Sequence, residues 1–177
     1  MVTSRTIGAM LVVLATCCAT GERKLVDPLA WSEPRDGVAV SRSGIRIGSK
    51  TLNLPTTAAN LSDILGTPDR TVANANRILI WDHLGIFAYE SPKTLSIHAL
   101  SISFTCTEFE FCPEHGLPGV FVVGGAVFRR APDTRDMIRN HFRTDEFTCL
   151  KNIGKYQVSA DCIAAGPGLG TFEVELK

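Results

Sequence analysis

The sequence predicts an α+β fold of two tandem β-β-α-β-β-β units, each an antiparallel sheet with one helix packed on it. Three observations carry this expectation. A pair of short apolar strands around a glycine turn occurs twice, in "GIRIGSKTLNLP" and in "GVFVVGGAVFRR". Each pair is followed by a helix signal, "TTAANLSDILG" and then "PDTRDMIRNHF". Each helix is followed by a hairpin and a further strand. The units open near Ile45 and Val120, about 75 positions apart, and repeat a pattern rather than letters.

Composition sets the frame. The chain has 177 residues, 45% hydrophobic and 20% charged, which suits one compact domain or two small ones. A chain of this length buries roughly two thirds of its unfolded surface, enough for a proper core. The formal net charge is zero. No basic stripe points to nucleic acid, and no acidic run points to a disordered tail.

The first residues are of another kind. "MVTSRTIGAMLVVLATCCAT" has one Arg, an apolar run from Ile7 to Ala15, then small residues. That run is too short to span a bilayer, so residues 1–19 read as a secretory signal peptide. "LATCC" resembles the bacterial lipoprotein signal, with Leu14 three residues before Cys17. The resemblance implies lipidation of Cys17, with Cys18 as the alternative and ordinary cleavage after Ala19 as another. The chain is then expected on the periplasmic face of a bacterial membrane, held by acyl chains, or else soluble in the periplasm or secreted.

Beyond the leader stand Cys106, Cys112, Cys149 and Cys162. An even number of cysteines in an exported chain implies disulfides. The two local pairings are preferred: "CTEFEFC" closes a short loop, and "CLKNIGKYQVSADC" brings its ends together across a hairpin. Each would stabilise by about 2–4 kcal/mol, mainly through the unfolded state. Zinc is the rival, but no CxxC pair is present.

Residues 20–43 carry prolines and many charges and read as a tether, with Trp31 docking on the fold. The first unit spans 44–112. Thr57 caps its helix, Leu61, Ile64 and Leu65 share a face, and Gly66 followed by Pro68 ends it. The stretch "RILIWDHLGIFAY" is then a hairpin turning through Asp82, His83, Leu84 and Gly85. "LSIHALSISFTC" supplies a further strand. The second unit spans 113–177. It turns at Gly124-Gly125, starts its helix at Asp133, and packs Met137, Ile138, His141 and Phe142 inward. A second hairpin turns near Gly154-Lys155, and "GTFEVELK" is a final alternating strand.

The first hairpin is apolar on both faces, Ile78 and Ile80 on one and Leu79 and Trp81 on the other. A single helix covers only one face of a small sheet. The second face must therefore pack on the other unit, on the tether or on a partner. Trp81, Asp82, Phe87 and Tyr89 are the candidate partner contacts, because aromatic side chains anchor such surfaces.

Catalytic signals are missing. "GGAVFRR" and "GPGLG" lack the strand-then-helix context of a phosphate loop, and no GxSxG elbow occurs. His83, His98, His115 and His141 have no metal-ligand spacing. His83 with Glu114 is the pair a periplasmic hydrolase would need. The expectation is a chain without catalytic residues, metal or cofactor.

Two resemblances extend this reading. "LSDILGTPDR", "WDHLGIFAY", "LSISF" and "PGVFVVGG" resemble an uncharacterised family of bacterial exported domains. Its pattern is Leu-Gly-x-Pro followed by Trp-Asp-x-Leu-Gly-Ile, carried here by Leu65 to Pro68 and Trp81 to Ile86. That likeness covers about residues 44–177 and implies accessory or immunity proteins of interbacterial competition. The helix, "LGTPD" and aromatic strands are also similar in architecture to the β-lactamase-inhibitor proteins and the small outer-membrane-assembly lipoproteins, which bind proteins. The expected partner is a protein, either a toxin or an envelope component, bound by steric occlusion. A structural envelope lipoprotein and a periplasmic hydrolase are the alternatives.

Overall fold

The computed structural model describes residues 28–73, 75–105, 109–130, 134–144, 149–160 and 170–177. Two 3-10 turns, Pro34–Asp36 being the second, lead into β1 (Gly37–Ser41), β2 (Gly44–Ile47) and β3 (Lys50–Leu52). Helix α1 (Ala58–Leu65) follows, then β4 (Arg70–Ala73) and β5 (Arg77–Trp81). A 3-10 turn at Asp82–Leu84 joins β5 to β6 (Ile86–Glu90), and β7 (Ile97–Ser103) completes this half. The second half holds β8 (Val120–Val123), β9 (Ala126–Phe128), α2 (Thr134–His141), β10 (Arg143–Thr144), β11 (Cys149–Ile153), β12 (Tyr156–Ala160) and β13 (Thr171–Leu176).

The strands form two sheets. One has five strands in the order β3-β2-β1-β8-β9, and the other has eight in the order β10-β11-β12-β13-β7-β6-β5-β4. This corrects the picture of one sheet per unit, because both halves contribute strands to both sheets. The sequence reading also lacked β1, β4 and β10. Strand β1 lies within the expected tether, yet Val38 and Val40 are buried and it pairs antiparallel with β2 and parallel with β8. Trp31 does dock on the fold, its ring closing over Gly37.

Local signals explain most elements. Thr57 Oγ1 accepts from the Asn60 backbone N–H at 3.3 Å, and Leu61 and Leu65 face the core. Gly124 and Gly125 both take positive φ, 55° and 83°, so a two-residue turn joins β8 to β9 with the twist a hairpin needs. β11 and β12 pair Ile153 with Tyr156 across Gly154-Lys155. In α2, Ile138 is buried and Met137 packs against the core, but His141 is exposed, so its assignment to the inner face is corrected. Its ring instead meets the edge of Phe128 at 6.3 Å. Asp133 lies outside the described residues.

One apolar core fills the space between the sheets. It joins Val38, Ile45 and Phe121 of the smaller sheet to Trp81, Leu100, Val158 and Phe172 of the larger, with Leu61 and Ile138 from the helices. A hydrogen bond spans the layers, Tyr156 Oη donating to Asn53 Oδ1 at 3.0 Å. Both helices pack on this inner side, so the opposite face of the eight-stranded sheet receives neither helix.

Candidate binding face

The hairpin of β5 and β6 divides its apolar residues as a pleated strand must. Leu79, Trp81, Ile86 and Ala88 enter the main core. Ile78, Ile80 and Phe87 form a separate small cluster on the outer face, flanked by Val72, Tyr89 and Phe111. What covers the second face is therefore Phe111, from the loop that ends at Cys112. Its ring lies 5.6 Å from Phe87 and 6.2 Å from Tyr89, centroid to centroid. Phe109 stacks parallel on Phe111 at 5.1 Å and stays 58% exposed.

The loop is held by a charged keystone. Arg70 Nε donates to Asp82 Oδ2 at 2.8 Å and Nη2 to Oδ1 at 3.1 Å. The same guanidinium donates to the backbone carbonyls of Glu110 and Cys112, both at 2.6 Å. Asp82 also accepts from the Glu114 N–H at 2.9 Å through Oδ1, and from the His115 N–H at 3.2 Å through its carbonyl. Asp82 is only 8% exposed, so a planar guanidinium in a bidentate pair offsets its desolvation. Replacing Asp82 with Ala removes the carboxylate that balances the Arg70 charge, leaving the guanidinium only backbone carbonyls, and strips the Glu114 N–H of its acceptor. The expected cost is about 2–4 kcal/mol by urea denaturation, with faster proteolysis next to Phe109.

The expected contacts separate into two groups. Trp81 is fully buried and donates its indole N–H to the Gly66 carbonyl at 2.8 Å. Asp82 and Phe87 are buried as well. These three support the face rather than present it, which corrects their reading as contacts. Tyr89 alone reaches the surface, half-buried beside Phe111. Phe109, Phe111 and Arg70 were overlooked; the alternating "FEF" inside the cysteine loop was the available signal.

The remaining candidates lie elsewhere. His83 meets Asp69, Nδ1 to Oδ2 at 2.8 Å, on exposed side chains, and this contact holds the Asp69 carboxyl below its usual range. Glu114 instead lines a shallow pocket of about 220 Å³ with His115 and Arg130, a pocket of which His83 is not part. His98 Nε2 contacts Ser96 Oγ at 2.9 Å. Cys112 and Cys149 are buried and disulfide-bonded, while Cys17, Cys18, Cys106 and Cys162 lie outside the described residues. Among the described residues, no group of three or more metal-binding side chains gathers, and no helix is long and apolar enough to cross a membrane.

The family model of a domain of unknown function, DUF7738, matches residues 37–137. No curated protein and no solved structure matches the chain.

Proposed function

The chain belongs to the DUF7738 family of domains of unknown function, and we propose that it is a non-catalytic, exported protein-binding module. It acts as an inhibitor or immunity protein at the periplasmic face of the membrane, anchored through Cys17 or Cys18. It blocks its partner with the outer face of the eight-stranded sheet. The observation that carries this reading is Phe109. A large apolar ring is held out in solvent by a stack on Phe111, over a loop pinned by Arg70 and Asp82. Exposed aromatics on a rigid base are the usual anchors of protein interfaces. Tyr89, Phe109 and Phe111 are the contacts.

Two finer readings belong with it. The oxidised state of Cys112 and Cys149 favours an oxidising compartment and the pairings Cys106–Cys112 and Cys149–Cys162. The register of β11 and β12 sets Cys149 opposite Ala160, two residues short of Cys162. The tandem reading draws support from strand order: β6-β5-β4 and β12-β11-β10 run outward on either side of β7 and β13.

The test is affinity capture of the oxidised chain's partner from envelope and secreted proteins, read by mass spectrometry. Phe109→Ser is expected to melt within about 2 °C of the parent, because the ring is largely exposed. It is expected to lose about 30-fold or more in affinity for the captured protein, the effect of removing an interface anchor. Equal affinity in the folded variant overturns the reading. A partner that proves to be a permanent envelope assembly would replace inhibition with a structural role.

A further inference from the structure

The eight-stranded sheet ends on β10 at one side and on β4 at the other. β10 has two residues and offers little to pair with, whereas β4 has four. The direction of the main chain in β4 follows from its neighbour. The Ile80 carbonyl accepts from the Asp69 N–H at 2.8 Å, so Ile80 and, two residues earlier, Ile78 turn their main-chain groups toward β4. The register sets Ile80 opposite Arg70 and Ile78 opposite Val72. Arg70 and Val72 therefore pair with β5, while Thr71 and Ala73 turn their N–H and C=O groups away from the sheet. Both residues are exposed, and among the described residues nothing hydrogen-bonds those outward groups.

Proteins guard such edges, most simply with a lysine or a proline on the strand or with a covering loop. The β4 sequence, "RTVA", has neither residue. Its one charged side chain, Arg70, is committed to Asp82 and to the carbonyls of Glu110 and Cys112. The edge also adjoins the aromatic face, because Val72 packs with Phe111 and Tyr89 against the cluster of Ile78, Ile80 and Phe87.

We propose that the bound protein docks by adding an extended strand to the β4 edge, hydrogen-bonded to the main chain of Thr71 and Ala73. The inference rests on the docking reading above and names the form in which the partner arrives. A row of unpaired main-chain donors and acceptors has another strand as its complement, since only a strand repeats donor and acceptor at the matching interval. The side chains set the sequence class. Every second residue of the added strand falls on the outer face beside Val72, so apolar or β-branched residues are expected at alternate positions.

The experiment is amide hydrogen exchange, read residue by residue by NMR on the oxidised, ¹⁵N-labelled chain, alone and with the protein it captures. The Thr71 and Ala73 amides are expected to exchange freely in the chain alone and to slow by about tenfold or more in the complex. Thr71→Pro removes one outward donor and leaves Arg70 in the extended conformation it already has, and an edge strand accepts the ring. That variant should melt within about 3 °C of the parent and bind the captured protein about tenfold more weakly or worse, the effect of one unmade hydrogen bond. Thr71→Ala, which keeps the main chain, should bind with parental affinity. Unslowed amides in the complex, parental affinity of a folded Thr71→Pro chain, or an equal loss in Thr71→Ala overturns the proposal. The exchange measurement uses the parent chain and decides the matter even where the proline variant fails to fold. A parent chain that sediments as a dimer, and that Thr71→Pro dissociates, gives the edge to a second copy and also overturns it. Partner capture separates the two readings. If Phe109→Ser loses the partner while Thr71→Pro keeps full affinity, strand addition falls and the docking face stands. If Phe109→Ser keeps full affinity, the docking face itself falls.

Discussion

Gly85→Ala is expected to destabilise the chain by about 3–5 kcal/mol, combining a left-handed backbone penalty with severe overpacking. Gly85 sits at φ 65° at the exit of the Asp82–Leu84 turn. A Cβ there would lie 2.2 Å from the Leu117 backbone nitrogen, 2.5 Å from the Gly116 carbonyl carbon and 2.8 Å from the Ser103 oxygen. All three are main-chain atoms, so no side-chain rotation relieves the clash. The strand β7 carbonyl and the loop after Cys112 must move together. A domain of this size has a total stability of about 5–15 kcal/mol, so the variant should unfold at much lower urea and accumulate poorly. An alanine variant within 0.5 kcal/mol of the parent, by the same denaturation, would show that the glycine is not held by this packing.

Trp81→Ala carries the second large effect, about 3–5 kcal/mol for an emptied aromatic site in the core. Leaving the Gly66 carbonyl without its indole donor adds about 1 kcal/mol. Trp81 packs beneath the hairpin, on the side away from Phe109, so its loss should act through folding alone. Trp81→Phe, which keeps most of the volume, is expected to retain the fold and to bind any partner with parental affinity. A folded Trp81→Phe chain that loses the partner would return this residue to the contact surface.

How far the sequence revealed this molecule depends on which signals are local. The caps of α1, the Gly124-Gly125 turn and the Gly154-Lys155 turn depend on a few adjacent residues and were readable. The double apolar face of "RILIWDHLGIFAY" was also readable, since period-two alternation was visibly missing. Which face met which neighbour was not, because Phe111 covers Ile80 and Phe87 from a loop far along the chain. Asp82 reads in the sequence as a turn residue and a partner contact rather than a buried anchor, because its partner, Arg70, stands in a four-residue strand with no apolar pattern. β1 was hidden for a similar reason: "GVAV" follows a run of charged and proline residues and gains its identity from pairing with β8. The partition into one sheet per unit failed because strand pairing between distant segments leaves no local mark.

The central claim is that the aromatic face built over β5 and β6, and not the buried Trp-Asp turn beneath it, meets the partner. Photo-crosslinking tests it most directly, with benzoyl-phenylalanine placed at position 109 and, in a second chain, at position 95. Leu95 is equally exposed, at 62%, but lies in the turn between β6 and β7 rather than on the aromatic stack. The expected result is one crosslinked partner from position 109 and none from position 95. Crosslinking from position 95 alone, or equally from both, would contradict the claim.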